Sequence, residues 1–255
     1  MKKIKKFLLT IAMTMALGTS AFASSGFEFL LQVAGGINLG IPLKETKDLY
    51  SEIKGELGAD IGVDAQIGYM FQVKDGFGIS VLGELGYSFD GYSMGYGSGG
   101  AISSGSVGGG NTTYSAEASL SIQQFFHSFK LGLLPKFNIG FGGRHGLAVG
   151  IGGGVKIPLA GNMSTTSTIA VNGATSDAGI KTEDKITLSR QDINDFFSPS
   201  VIGYMKVTFD YYLFFTDNIA MNFGLYLGGD FGMKPTGVDA FDIGLQLGFR
   251  FGPKA

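Results

Sequence analysis

Thirteen ionisable side chains of this 255-residue chain fall on the same phase of a two-residue repeat. The acids are Glu28, Asp60, Asp64, Glu84, Asp90, Asp210, Asp230 and Asp242; the bases are Lys130, Lys136, Lys156, Lys206 and Arg250. Charges of both signs confined to one face must pair if that face is enclosed, because an unpartnered buried charge is costly. Two kinds of chemistry fit them: a salt-bridged plug that fixes strand register, or the polar lining of a narrow solute path. Leu30, Met70, Leu82, Leu134 and Ile202 share the phase and would fill the core or grease the path. Acid–base catalysis has little to work with. His127 and His145 are the only histidines, and His127 adjoins Ser128, so within a strand the two would face opposite ways.

The elements that carry these residues are strands. Phe27, Phe29, Leu31, Val33, Ile37, Leu39 and Ile41 alternate with small or polar residues, as do Leu57, Ile61, Val63, Ile67, Tyr69, Phe71 and Val73. The pattern recurs over 77–89, 129–141, 147–159, 201–213, 219–227 and 241–251. Volume decides which face looks out. An eight-stranded interior holds roughly a dozen bulky side chains, several-fold fewer than the apolar phase supplies. The glycine- and serine-rich phase fits inside a narrow tube, so the apolar phase must face something as apolar as itself, a bilayer. The expected fold is all-β: a closed antiparallel up-and-down transmembrane barrel of eight strands with short periplasmic turns and long extracellular loops. Outward Gly83 and Gly153 are expected to relieve strain at strand bends.

Lys2, Lys3, Lys5 and Lys6 precede an apolar run over 7–17 and then Ala21-Phe22-Ala23, which predicts a secretory signal over residues 1–23, cut after Ala23, with one barrel domain over 24–255. The run is too short for a membrane-spanning helix, and no later stretch is long enough for one. Cleavage would leave 15 basic against 21 acidic residues, a net charge of −6 without a basic cluster, which disfavours nucleic acid as a partner. The absence of cysteine removes disulfides and thiolate metal sites, the acids lack calcium-loop spacing, and no metal or cofactor is expected. The glycines at 150 and 152–154 sit inside a strand pattern with no helix after them, so they are not a phosphate-binding loop.

Short connections at Lys74-Asp75-Gly76, at 142–146 and at Thr216-Asp217-Asn218 alternate with long ones over 42–56, 91–128, 160–200 and 228–238. The Gly/Ser/Tyr-rich 91–111 is expected to be mobile, and neither it nor 160–200 has the apolar content for a core of its own. Residues 114–122 also alternate, but with the apolar phase reversed, which predicts the rise of the fourth strand joined through a break near 123–128. A hairpin pairing 168–173 with 185–189 would raise the strand count to ten.

With this pattern the chain resembles the small bacterial outer-membrane barrels, the eight-stranded group of OmpX, OmpW and the OmpA membrane domain. Phe241, Ile243, Leu245, Leu247, Phe249 and Phe251 look like that group's terminal signal to the barrel-assembly machinery, although Gly252-Pro253-Lys254-Ala255 follows where the group usually stops. The resemblance implies outer-membrane lipid as surroundings and a non-enzymatic role, structural or as a narrow conduit. A lumen lined by Leu30, Leu82 and Leu134 would then take a small hydrophobic ligand. The alternative is an adhesin or host-interaction protein acting on a surface partner through 91–128 and 160–200.

Overall fold

The computed structural model describes residues 25–49, 52–107, 110–172, 178–235 and 237–255. The segment read as a secretory signal lies outside the described residues. Nine strands follow in chain order: β1 Gly26–Pro42, β2 Lys54–Lys74, β3 Phe77–Val107, β4 Gly110–Phe141, β5 His145–Asn172, β6 Ala178–Ser189, β7 Ile202–Phe214, β8 Ile219–Phe231 and β9 Val238–Phe251. Two short helices, α1 Lys44–Leu49 and α2 Arg190–Phe196, lie in connections. Every strand pairing is antiparallel, and the order β4-β3-β2-β1-β9-β8-β7-β5 closes on itself through β4–β5. Eight strands therefore form the ring, and β6 hangs outside it on the upper part of β5.

Side-chain period sets the polarity of this cylinder. Along β9, Phe241, Ile243, Leu245, Leu247, Phe249 and Phe251 are exposed while Asp242, Gln246 and Arg250 are buried. The same division runs round the ring: Leu133, Met205 and Leu245 are more than 60 % exposed, whereas Glu28, Glu84 and Lys136 are almost wholly enclosed. Such a wall is stable only against lipid. From Phe129 to Phe141 β4 rises about 30 Å at ~3.3 Å per residue and a ~40° tilt, enough for a bilayer's hydrocarbon core. No described helix is long and apolar enough to cross a membrane; the strands do it.

One end of the barrel has short turns, made by Asp75-Gly76 (Gly76 φ 75°), by Gly142-Gly143 (φ 59° and 73°) and by residues 215–218. At the other end the expected loops are largely strand. β3 and β4 pair up to Val107↔Gly110, so 91–128 is mostly a hairpin rather than a free loop. Over 160–200, β5 continues and pairs β6 from Ala160↔Ser189 to Val171↔Ala178, followed by α2. The expected pairing of 168–173 with 185–189 does not form: Thr168 pairs Lys181 and Lys185 pairs Ser164, and the strand β6 so made lies outside the ring, which keeps eight strands.

The expected break in β4 is absent. Its ladder with β3 runs unbroken through 122–139, and Gln124, Phe126, Ser128 and Lys130 all point inward. What reverses is the surroundings: below residue 129 the outward phase meets lipid, while above it Phe126 and Ile122 pack into an apolar core inside the crown. The irregularity sits across the ladder. His127 pairs Ala160 and Ser128 pairs Pro158, leaving Leu159 of β5 as a bulge. There β5 changes its second partner from β7 to β6.

A second correction concerns that crown. Ile53, Tyr92, Met94, Phe126, Leu188, Ile193, Phe197 and Met233, with Ile202, Val238 and Ala240, form one buried cluster across the long-hairpin mouth. The connections do contain a core, assembled from single residues of many segments. Ile193 is delivered by α2, whose start is fixed by a reciprocal capping box between Ser189 and Asp192. Arg190 ties the helix down through Nη1 to the carbonyls of Pro158 and Ser200, both at 2.8 Å.

Candidate functional site

The lumen holds the chemistry, in tiers. At the short-turn mouth Arg250 Nε lies 2.7 Å from Glu28 Oε1, its guanidinium centre 4.6 Å from the ring of Tyr212. Ser80 donates to the other oxygen of Glu28, and Asn138 Nδ2 donates to Ser80 at 2.8 Å. Leu30, Leu82, Ala148, Tyr212, Phe214 and Ala220 pack beside this tier, and Leu134 is equally enclosed. Residues 252–255 fold beneath it: Pro253 accepts from Arg250 Nη2 at 3.0 Å, and Lys254 Nζ reaches Gly143's carbonyl at 2.8 Å and Asp217 at 2.9 Å.

Above it Lys136 meets Asp210 at 2.9 Å, and Asn222, Gln246 and Thr208 also donate to that carboxylate. The middle tier is a four-membered knot. Lys130 lies 2.9 Å from Asp64 and 3.1 Å from Glu84, while Lys206 lies 2.5 Å from Glu84 and 3.6 Å from Asp64. Gln66 and Tyr204 each donate to Glu84 at 2.8 Å. The top tier sets Lys156 between Asp90 at 2.8 Å and Asp230 at 2.5 Å. Tyr92 donates to Asp230 at 2.6 Å, and Tyr226 donates to Asp60 at 2.6 Å. Asp242 stands beside them with no hydrogen bond or ion pair among the described residues.

The side chains named from sequence thus occupy one enclosed column, but the charges alone do not build it. Tyr92, Tyr204, Tyr226, Gln66 and Ser80 donate to the carboxylates, Asn138 supports Ser80 and Tyr212 accepts from Lys136, and sequence reasoning passed over them. Their shared phase with the charged residues was the available signal. A cavity of about 40 Å³ lies between the middle and top tiers.

The histidines lie elsewhere. His127 Nδ1 meets the hydroxyl of Tyr87 at 2.5 Å, and His145 Nδ1 that of Tyr211 at 2.6 Å, each pair lying on the outer wall near one rim. His145 opens β5 rather than lying in a turn. Neither has a carboxylate or serine partner among the described residues, and Ser128 faces the lumen while His127 does not. No described group of three His or carboxylate side chains could hold a metal. Gly83 and Gly153 flank Leu133 in one row of the wall and open an apolar hollow on the lipid face.

Closed strand order, inverted polarity and a charged lumen define a transmembrane β-barrel of the small outer-membrane type. Neither a family model nor a curated protein sequence matches the chain. Among solved structures it is similar to neisserial surface protein A, at 10 % identity over 88 % of this chain and 96 % of that one, TM-score 0.36. It is similar to Ail, the attachment invasion locus protein of Yersinia pestis, at 9 % identity over 89 % and 99 %, TM-score 0.28. A third likeness is the outer membrane protease OmpT from Escherichia coli, at 8 % identity over 90 % and 96 %, TM-score 0.25. At such identities and scores these likenesses add nothing to the strand register described above.

Proposed function

We propose that the protein is a non-enzymatic, non-conducting barrel of the bacterial outer membrane, which serves to present its long-hairpin crown to the cell exterior. One observation carries this reading: ion pairs and packed side chains occupy the lumen, leaving a cavity of about 40 Å³ between the two upper tiers, while two hairpins rise well beyond the lipid belt. Ion pairs occupy three tiers, an apolar core covers one mouth, and Arg250 with residues 252–255 covers the other. Eight strands leave room for side chains or one small ligand at most. Leu30, Leu82 and Leu134 are packed against neighbours rather than bordering free space, which favours core filling over a greasy conduit.

In this reading the short turns face the periplasm, and β9 carries the signal to the assembly machinery on its lipid face. The crown offers β3–β4 and β5–β6 to a surface partner. Its exposed positions, including Ile180 and Ile186 of β6 among Lys181, Glu183, Asp184 and Lys185, mix apolar and charged groups as a contact surface does. Two measurements test it. The reconstituted barrel should give no steady single-channel current in planar bilayers, and shortening both hairpins should abolish cell-surface binding while the barrel still folds. Steady conductance, or binding untouched by the deletions, would end this reading.

A further inference from the structure

We propose that the upper lumen binds one small monovalent cation, held by Asp242 and Asp60 with water completing its shell. The cavity there is bordered by five carboxylates, of Asp60, Asp64, Asp90, Asp230 and Asp242, and by three ammonium groups, of Lys130, Lys156 and Lys206, so negative charge is in excess. Lys156 is committed to Asp90 and Asp230. Lys130 and Lys206, at the lower edge of the cavity, are committed to Asp64 and Glu84. Asp60 accepts only the hydroxyl of Tyr226, and Asp242 accepts nothing.

Asp242 is what turns an acidic cluster into a site. Its residue is 6 % exposed, its Oδ1 is buried with no partner, and it borders the cavity. The Oδ1 atoms of Asp60 and Asp230 are also buried and unmatched. Asp242 has no hydrogen-bond donor, and the ammonium that acts on it, that of Lys156, is already held by Asp90 and Asp230, so positive charge from outside the chain would stabilise this corner. Room exists for it: about 40 Å³ is several times the ~10–15 Å³ that one water-sized occupant needs.

The donor set selects the ion. Calcium takes 6–8 oxygens at short range, and no three carboxylates converge for a metal among the described residues. Two carboxylates and water suit a singly charged, partly hydrated ion. The anionic excess and the small volume disfavour an anion or an organic solute.

The test uses the full chain refolded in detergent at neutral pH, heated in sodium chloride or in choline chloride of equal ionic strength, choline being too large for the cavity. Sodium should raise the unfolding midpoint by about 2–4 °C, and Asp242→Asn should erase the difference; Asp60→Asn serves if the first variant does not fold. Crystals grown with rubidium should show an anomalous peak beside Asp242. Equal midpoints in the two salts overturn the proposal, and if stability then falls with rising pH, protons neutralise Asp242 instead. A rise produced by calcium but not by sodium overturns the choice of a monovalent ion.

Discussion

Lys136 and Asp210 meet at 2.9 Å with neither side chain reaching solvent. They belong to β4 and β7, the two ring neighbours of β5, so the contact bridges β5 on its lumen side, over Gly150. Lys136→Met alone would strand a buried carboxylate and should cost about 3–5 kcal/mol. Lys136→Met with Asp210→Leu should recover much of that loss, since apolar side chains fill the same space. Urea unfolding in lipid vesicles reads both. A single variant as stable as the parent would mean that water reaches the pair.

Gly132 faces inward where Tyr204 crosses to Glu84. A Cβ there would lie 2.0 Å from the tyrosine hydroxyl and 2.8 Å from Gly153's carbonyl. Gly132→Ala should displace Tyr204, loosen the Glu84 knot and cost about 1–3 kcal/mol. Combining it with Tyr204→Phe should add less than the two separate losses, which a double-mutant cycle detects.

Leu245 is 68 % exposed at mid-height of β9, and its neighbour Gln246 faces the lumen. Leu245→Arg should destabilise the vesicle-embedded barrel by about 2–4 kcal/mol, the cost of a cation on the lipid face near the midplane. In a soluble barrel the same exposed change would be nearly neutral, so an unchanged unfolding free energy would refute the membrane assignment.

The helix in the crown carries a pH dependence. Hydrogen bonds from the Ser189 hydroxyl and backbone N–H hold Asp192 below the usual carboxylate range. A depressed folded value means the cap contributes fully above the unfolded value, about 4, and fades as pH falls through the folded one. Hydrogen exchange of the α2 amides should therefore quicken only in acid. Asp192→Asn should remove that acid-dependent step, and exchange that accelerates toward alkaline pH beyond its intrinsic trend would contradict the assignment.

Much of the ring was legible because period two assigns each residue a face irrespective of its partner. Leu133 and Lys136 could be sent to opposite sides from spacing alone. Partners were not legible: Lys130 finds Asp64 across 66 positions, a distance set by curvature and stagger rather than by local pattern. The phase reversal between Ile122 and Phe129 was visible but misread as a break, because the same alternation with lipid on one side and a core on the other imitates a slip of one residue. The real extra residue, Leu159, sits within a run whose composition does not mark it. Ser189 and Asp192 did advertise a helix start ahead of Ile193, yet the Thr/Ser-rich surroundings suggested an unstructured loop.

The bulge at Leu159 gives β5 a second life above the lipid, where it leaves the closed wall and becomes the backbone of a fin. Inward residues there, such as Met163 and Leu188, are committed to the lid over the barrel, whereas their outward neighbours answer to nothing beneath. Foreign sequence could be written onto the outer face of that fin, one position in two, and the cylinder would carry it as a mast carries a flag.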